Sequence, residues 1–232
     1  NNINAGGGAS KGYGLIVAST ADPIIRNNKI HGGTSPDCTA VQIIDNGTDP
    51  VFHANEITAG NSSGAVCAIS LIGNIAATIK NNVIHGGNSM DITYIDIQNA
   101  TTANSLKIVN NSIVDGTCSN NVTGFNLINS KPVIYNNIVK ITSGMILNSM
   151  AADGASVPDV SDNWISVTSD TTAFSYGASN TQNQPVNFDA NYRPDAAGTY
   201  AGGFDASSFG VTNDYHGISR TAPYSIGAVE VN

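Results

Sequence analysis

The heptapeptide NNKIHGG, residues 27–33, returns almost unchanged as NNVIHGG at residues 81–87. The two copies begin 54 residues apart, from 27 to 81, and HANEITAG at residues 53–60 stands midway in the same frame. The series continues with VNNSIVDG at 109–116, YNNIVKIT at 135–142 and SDNWISVT at 161–168. A repeat of about 27 residues indicates a solenoid, in which each repeat forms one coil and packs on its neighbours.

One position of the repeat is always asparagine. It is occupied by Asn28, Asn55, Asn82, Asn111, Asn137 and Asn163, and the series extends to Asn1 upstream and Asn191 downstream. The positions three before and two after it are apolar in nearly every repeat, with mixed polar neighbours, which is typical of β-strands. A third strand is predicted earlier in each repeat, at residues 15–19, 41–45, 69–73, 94–98, 125–129 and 145–148.

The asparagine position has a physical explanation. A tight corner between two strands needs a residue near the left-handed region, which Asn tolerates better than other residues with a side chain. Stacked coils lie about 4.8 Å apart, so the amides can hydrogen-bond along the rod. We therefore predict that these asparagines form both the corner and a ladder.

With these features the chain resembles the pectin-lyase-like superfamily of right-handed parallel β-helices. That superfamily commonly carries an Asn ladder at the corner between its second and third sheets. The resemblance implies an all-β, right-handed, three-sheet solenoid of about seven coils over residues 1–193. By the same resemblance, residues 15–19 belong to the first sheet, 24–26 to the second and 29–31 to the third, with their counterparts in other coils.

Residues 194–232 break the period, and we predict that they form an irregular C-terminal cap. A cap would cover the core and the strand edges that a solenoid end exposes. The segment resembles the C-terminal part of bacterial exported β-helix proteins of the choice-of-anchor type, through Asp214, Gly217, Arg220, Ile226, Gly227, Ala228 and Glu230. The chain begins in mid-coil at Asn1, so we expect further coils or a cap, with an export or lipid-anchor signal, to precede it.

Composition restricts the function. The 232 residues carry a formal charge of −8, which disfavours nucleic acid as a partner, and no apolar run approaches the roughly 20 residues that span a bilayer. The few charged and many small polar residues suit an extracellular or bacterial cell-surface protein, including one associated with an outer membrane. Cys38, Cys67 and Cys118 lack metal-ligand spacing. A Cys38–Cys67 disulfide between loops and three separate thiols both remain open.

Catalysis by this fold would lie along the first sheet, by the resemblance to polysaccharide lyases and hydrolases. Tyr94, Asp96 and Asn126 are the candidate residues, and all three are expected to face solvent. Asp96 is the one carboxylate expected there, and no Arg or Lys is expected on this sheet, whereas hydrolases need two carboxyl groups and lyases a strong base. The acidic loop at residues 45–49 could bind Ca²⁺ or form a plain turn; no other cofactor is expected.

The asparagine corner carries a cluster of basic side chains on an otherwise acidic chain. Arg26, His53 and Lys80 share one column, and His31 and His85 share another with Thr58 between them. The candidate binding residues are Arg26, Lys29, His31, His53, Lys80 and His85. They form either a solvated face or a surface that binds an anionic glycan or a protein.

The favoured interpretation is a non-enzymatic bacterial surface or exported protein that binds an anionic polysaccharide or a surface protein through the outer faces and loops of the rod. Two alternatives stay open. One is a divergent polysaccharide lyase or hydrolase with its site on the first sheet, and the other is a structural segment of a longer repeat protein.

Overall fold

The computed structural model describes residues 1–18, 20–44, 46–167, 176–194, 200 and 202–230. Within these ranges the chain contains no α-helix and one short 3₁₀ helix, Ala206–Phe209. The strands in chain order are β1 (Asn2–Asn4), β2 (Lys11–Val17), β3 (Ile24–Arg26), β4 (Lys29–His31), β5 (Asp37–Ile44), β6 (Val51–His53), β7 (Glu56–Thr58), β8 (Ala65–Ile72), β9 (Thr78–Lys80), β10 (Val83–His85), β11 (Asn88–Ser89), β12 (Asp91–Gln98), β13 (Lys107–Val109), β14 (Ser112–Val114), β15 (Thr117–Cys118), β16 (Asn121–Ile128), β17 (Val133–Tyr135), β18 (Ile138–Val139), β19 (Ile146–Ala152), β20 (Asp159–Ser161), β21 (Trp164–Ile165) and β22 (Thr181–Gln182).

These strands form the predicted parallel β-solenoid. The first sheet contains β2, β5, β8, β12, β16 and β19; the second contains β3, β6, β9, β13, β17 and β20; the third contains β1, β4, β7, β10, β14, β18, β21 and β22. Equivalent residues of successive coils lie side by side, as Ile30 does with Ile57 and Ile84 with Ile113. The solenoid has about six turns, where the sequence predicted about seven. Ser19 and Asp45, which end two of the predicted first-sheet strands, lie outside the described residues.

The strands of the first sheet bend and turn two successive side chains toward the core. Tyr94 and Ile95 are both fully buried, and the regular pairing of β12 with β8 skips Tyr94. Small residues, Ala40 and Ala68, stand at the same place in β5 and β8. The prediction that Tyr94 faces solvent was wrong, because it assumed an unbroken alternation through the bend.

The Asn ladder is confirmed. The amide nitrogen of each rung donates to the side-chain oxygen of the rung in the next coil, at 2.9–3.2 Å, from Asn1 through Asn163. The same oxygen accepts the backbone N–H of the previous rung, as Asn111 does from Asn82 at 2.9 Å. The interior rungs from Asn55 to Asn163 are buried. The ladder therefore satisfies polar groups that burial would otherwise leave unpaired.

The left-handed corner residue is the one before the ladder Asn, which corrects the prediction that a single Asn serves both purposes. The backbone φ at these corners lies between 53° and 56°, at Asn27, Ala54, Asn81, Asn110, Asn136 and Asp162. The two residues of each NN pair therefore have different roles. The first Asn adopts the left-handed conformation, and the second forms the rung.

The last rung is Asn180 and not Asn191. Asn163 donates to Asn180 at 2.9 Å after only 17 residues, and β22 follows Asn180 beside β21. Asn191 instead lies in a turn whose backbone N–H groups bind the Asp189 carboxylate. The 28-residue spacing from Asn163 to Asn191 therefore matches the repeat only by chance.

Candidate functional site

The outer face of the asparagine corner changes from charged to apolar along the rod. In the second sheet, the outward column contains Arg26, His53 and Lys80, followed by Val109 and Tyr135. In the third sheet, the outward column contains Lys29 and Glu56, followed by Val83, Ser112, Ile138 and Trp164. Apolar outward residues need a cover. The C-terminal tail provides it along the side of the rod.

The corner asparagines of the middle coils bind the backbone of this tail. Asn136 donates to the carbonyl of Phe204 at 2.6 Å and accepts the N–H of the same residue at 2.8 Å. Asn110 donates to the Ser225 carbonyl at 3.2 Å, and Asn81 donates to the Asn213 carbonyl. The irregular tail expected after residue 193 is present, and its contacts run across these coils. The boundary at residue 193 stays a prediction.

The tail motif forms a buried network that anchors this cover. The Arg220 guanidinium bonds the Glu230 carboxylate at 2.9 Å, the Gly227 carbonyl at 2.7 Å and the Asn81 amide oxygen at 3.1 Å. Asp214 accepts the backbone N–H of Glu230 at 3.0 Å. Burial lowers the pKa of Arg220 and raises that of Glu230, and the attraction between the two opposes both shifts. The spacing D-x-x-G-x-x-R followed by I-G-A-x-E therefore attaches the tail to the rod.

Gly227 permits the close approach in this network. Its φ is 90°, and a Cβ atom there would lie 2.6 Å from Cδ1 of Ile138. The neighbouring Ala228 is fully buried, and its N–H donates to Oγ of Ser112 at 3.0 Å. The apolar outward columns were the signal in the sequence that could have located this contact, and the sequence interpretation missed it.

The predicted basic residues lie along one edge of the rod, but most of them contact other residues of the same chain. Lys29 pairs with Glu56 at 2.6 Å, and the Lys80 ammonium donates to the Gly210 carbonyl at 2.7 Å. His85 lies edge-on to Tyr192, with ring centroids 5.2 Å apart. His31 accepts the backbone N–H of Gly33 at 2.9 Å. Arg26 and His53 line a cleft beside the tail.

His85 provides a test of this packing through pH. Burial, the largest cause, lowers its pKa below the ordinary 6.5. As the pH falls from 6.5, the unfolded chain therefore binds the proton before the folded chain, and stability decreases. We expect the stability advantage of the wild type over His85→Gln to shrink by about 1 kcal/mol between pH 7.5 and pH 5.

Urea unfolding at the two pH values measures this difference. Thr58→Ser is the matched control, because Thr58 lies beside His85 in the sheet and does not titrate. A constant difference between wild type and His85→Gln across this range would contradict the burial of a neutral imidazole.

A polar groove of about 330 Å³ follows the bend of the first sheet. Its strands begin about four residues earlier than predicted, which places Lys11 and Asp37 on the sheet and corrects the expectation that no Lys lies there. The groove is lined by Lys11, Gly12, Tyr13, Asp37, Cys38, Thr39, Ala65, Val66, Cys67, Thr93, Asp96, Gln98 and Asn126.

The Asp96 carboxylate lies at the centre of a small amide network in this groove. One oxygen accepts the Gln98 amide at 2.8 Å, and the other accepts the Asn126 amide at 2.7 Å. Asp37 lies two strands away and on the other side of the bend, so the Cα atoms of the two acidic residues are roughly 15 Å apart. Glycosidase carboxyl groups are about 5–9.5 Å apart. The separation of Asp37 and Asp96 therefore does not match that of a glycosidase carboxyl pair.

The Cys38–Cys67 disulfide, one of the two alternatives left open by the sequence, is not formed. Cys38 pairs in register with Val66, and Cys67 with Thr39, so the two thiols lie one residue out of step. The Cys38 side chain is buried in the core, whereas the Cys67 side chain is partly exposed on the groove side of the sheet. Both residues lie in strands of the first sheet and not in the loops where they were predicted. Side chains on opposite faces of a sheet cannot meet.

We expect three reactive thiols in the unfolded protein. In the folded protein we expect Cys67 to react slowly with a thiol reagent despite its partial exposure. Burial, followed by the Asp96 charge, raises the pKa of its thiol, and the thiolate is the reactive form. Titration with a chromogenic disulfide, with and without denaturant, measures both. Detection of only one reactive thiol in the denatured protein would mean that two cysteines form a disulfide, which would contradict the three free cysteines of the structure.

The acidic loop predicted as a turn or a Ca²⁺ site lies partly outside the described residues, because Asp45 does. Of its other members, Asn46 accepts the backbone N–H of Asn74 at 2.7 Å, and Asp49 donates its own N–H to Asp22 at 2.7 Å. These are coil-to-coil bonds of a turn. In the part of the chain that the structure describes, no three His, Cys, Asp or Glu side chains form a group able to hold a metal ion.

Comparison with known proteins returned no matching family model, no similar curated protein and no similar solved structure. Within the described ranges, no helix has the length and apolar character that crossing a membrane requires.

Proposed function

We propose that the protein is a non-enzymatic, exported or cell-surface binding protein of a bacterium, and that it binds carbohydrate in the groove of the first sheet. The observation that carries this proposal is the Asp96 carboxylate held between the amides of Gln98 and Asn126. Fixed carboxylate and amide groups match the paired hydroxyl groups of a sugar, and hydrogen bonds to a charged acceptor are the stronger ones.

The rest of the groove supports the same class of ligand. Tyr13 offers an aromatic surface, and Thr39 and Thr93 offer hydroxyl groups on the two strands that flank β8. A concave site with a few fixed polar groups is the usual form of a small-ligand site. The low content of charged residues, 11%, supports export, because few charged and many small polar residues suit an extracellular or cell-surface protein.

A glycan array tests the proposal. We expect the wild type to bind a defined oligosaccharide, and Asp96→Asn to bind it about tenfold more weakly, because a charge-assisted hydrogen bond is lost. Asp49→Asn is the matched control, because it removes an exposed carboxylate outside the groove. Equal binding by the two variants would refute the groove as the site. Release of unsaturated sugar from an acidic polysaccharide would instead establish a lyase.

A further inference from the structure

A second cleft, of about 320 Å³, lies between the corner of the first two coils and the tail. It is separate from the groove of the first sheet and shares no lining residue with it. Its rod side is formed by Arg26, Asn27, His53 and Ala54, and its tail side includes Thr212 and Asn213. This position continues the line of corner residues that the tail covers in the later coils.

In those later coils, the corner side chain binds peptide backbone. The Asn136 amide pairs with both the N–H and the carbonyl of Phe204, and Asn110 and Asn81 donate to tail carbonyls. Asn27 has the same left-handed conformation, with φ 56° at both Asn27 and Asn136. It faces the tail across the cleft, and the hydrogen bonds of the described residues include none between its side chain and the tail. The same amide, in the same conformation, is thus available to another peptide.

Ala54 keeps this cleft open at a conformational cost. It has φ 53° in the second coil, where the neighbouring coils have Asn27 and Asn81. Alanine is disfavoured in the left-handed region, and Asn is tolerated there. An Asn side chain at position 54 would project into the cleft beside His53. Retention of a disfavoured residue at a cavity is typical of a functional site.

The charges in the cleft favour an acidic ligand. The described ion pairs join Lys29 to Glu56 and Arg220 to Glu230, so neither involves Arg26. Among the residues that line the cleft, the acidic one is Asp214; it is buried, and its oxygens accept backbone N–H groups of the tail. The exposed Arg26 guanidinium therefore has the geometry to take a carboxylate in two parallel hydrogen bonds.

We propose that this cleft docks an extended, acidic peptide segment of a partner protein. The Asn27 amide pairs with one peptide group of that segment, as Asn136 does with Phe204. Arg26 pairs with an Asp or Glu side chain of the segment. The docked peptide would continue, over the first two coils, the cover that the tail supplies to the later ones. This inference is independent of carbohydrate binding in the first-sheet groove.

The test uses blocked hexapeptides with a fixed Asp at position three and mixed residues elsewhere, and the same set with Asn at position three. We expect binding of the Asp set to the full chain, with binding of the Asn set about tenfold weaker, measured by fluorescence anisotropy. Arg26→Gln should weaken binding of the Asp set by a similar factor. Asn27→Gly, which keeps the left-handed corner, should also weaken it.

Position 54 supplies a matched pair of variants. Ala54→Asn fills the cleft and should abolish peptide binding, whereas Ala54→Gly leaves it open and should bind as the wild type does. Both relieve the left-handed alanine, so both should raise the urea midpoint, which separates lost binding from lost folding. Asp96→Asn should leave peptide binding unchanged.

Three results would overturn the proposal. The first is failure of the Asp peptides to bind the wild type. The second is equal binding by Ala54→Asn and Ala54→Gly. The third is binding of tri-galacturonate, blocked by Ala54→Asn, without binding of the peptides, which would assign the cleft to an acidic saccharide.

Discussion

Asn82→Leu is expected to lower the free energy of unfolding by about 4 kcal/mol or more. The Asn82 side chain accepts from the backbone and side-chain nitrogens of Asn55, and it donates to Asn111 and to the Phe52 carbonyl. Leucine would leave several of these fully buried groups without a partner, at about 1–3 kcal/mol each. A domain is commonly stable by only about 5–15 kcal/mol, so one rung accounts for a large part of the total.

Urea unfolding followed by far-UV circular dichroism measures the effect. Asn1→Leu is the matched control, because Asn1 is exposed and makes its ladder bond at one end only. We expect that variant to change stability by less than about 0.5 kcal/mol. If Asn82→Leu lowered the free energy of unfolding by as little as Asn1→Leu does, the ladder would contribute little to stability.

Arg220→Met is the second large expected effect, and it should release the tail from the rod. The Arg220 side chain is 2% exposed and its partner Glu230 is 0% exposed. Removing one member of a buried ion pair costs about 3–5 kcal/mol, because the other charge is left unpaired. The double variant Arg220→Met with Glu230→Met should recover much of this loss, since it removes both charges of the pair and leaves neither without its partner.

The single tryptophan of the chain reports on this release. Trp164 is 7% exposed and packs on Tyr200 of the tail, with ring centroids 4.4 Å apart. Its emission should shift to the red in Arg220→Met at urea concentrations where far-UV dichroism is still native. Arg193→Met, which removes an exposed arginine of the same region, should leave emission unchanged. Joint loss of both signals in Arg220→Met would mean that tail and rod unfold as one unit.

Much of the fold could be predicted because the repeat contains the same physical information several times. The asparagine at the position of Asn82 recurs in each coil, and the position of Ile84 is apolar in nearly all of them, so each coil repeats the evidence of the one before. The failures occur where a coil departs from the rule. Tyr94 lies at a bend that strict alternation does not describe, and Asn191 fits the period without belonging to it.

The candidate sites were harder to predict, because they depend on contacts between distant parts of the chain. The sequence placed Arg26, His53 and Lys80 in one column correctly. It could not show that the Gly210 carbonyl, 130 residues away, binds Lys80. Outward valines such as Val83 and Val109 marked the covered surface, but they resemble core residues when the covering segment has no repeat of its own.

The tail limits how the length of this protein can vary in evolution. Asn81, Asn110 and Asn136 bind parts of one continuous segment, so the tail spans a fixed number of coils. Deleting residues 28–54 would place Asn55 directly after Asn27, which preserves both the corner and the ladder. A deletion between Asn81 and Asn136 would leave part of the tail without its partner. Gain and loss of whole coils is therefore tolerated ahead of the tail contact and opposed beneath it.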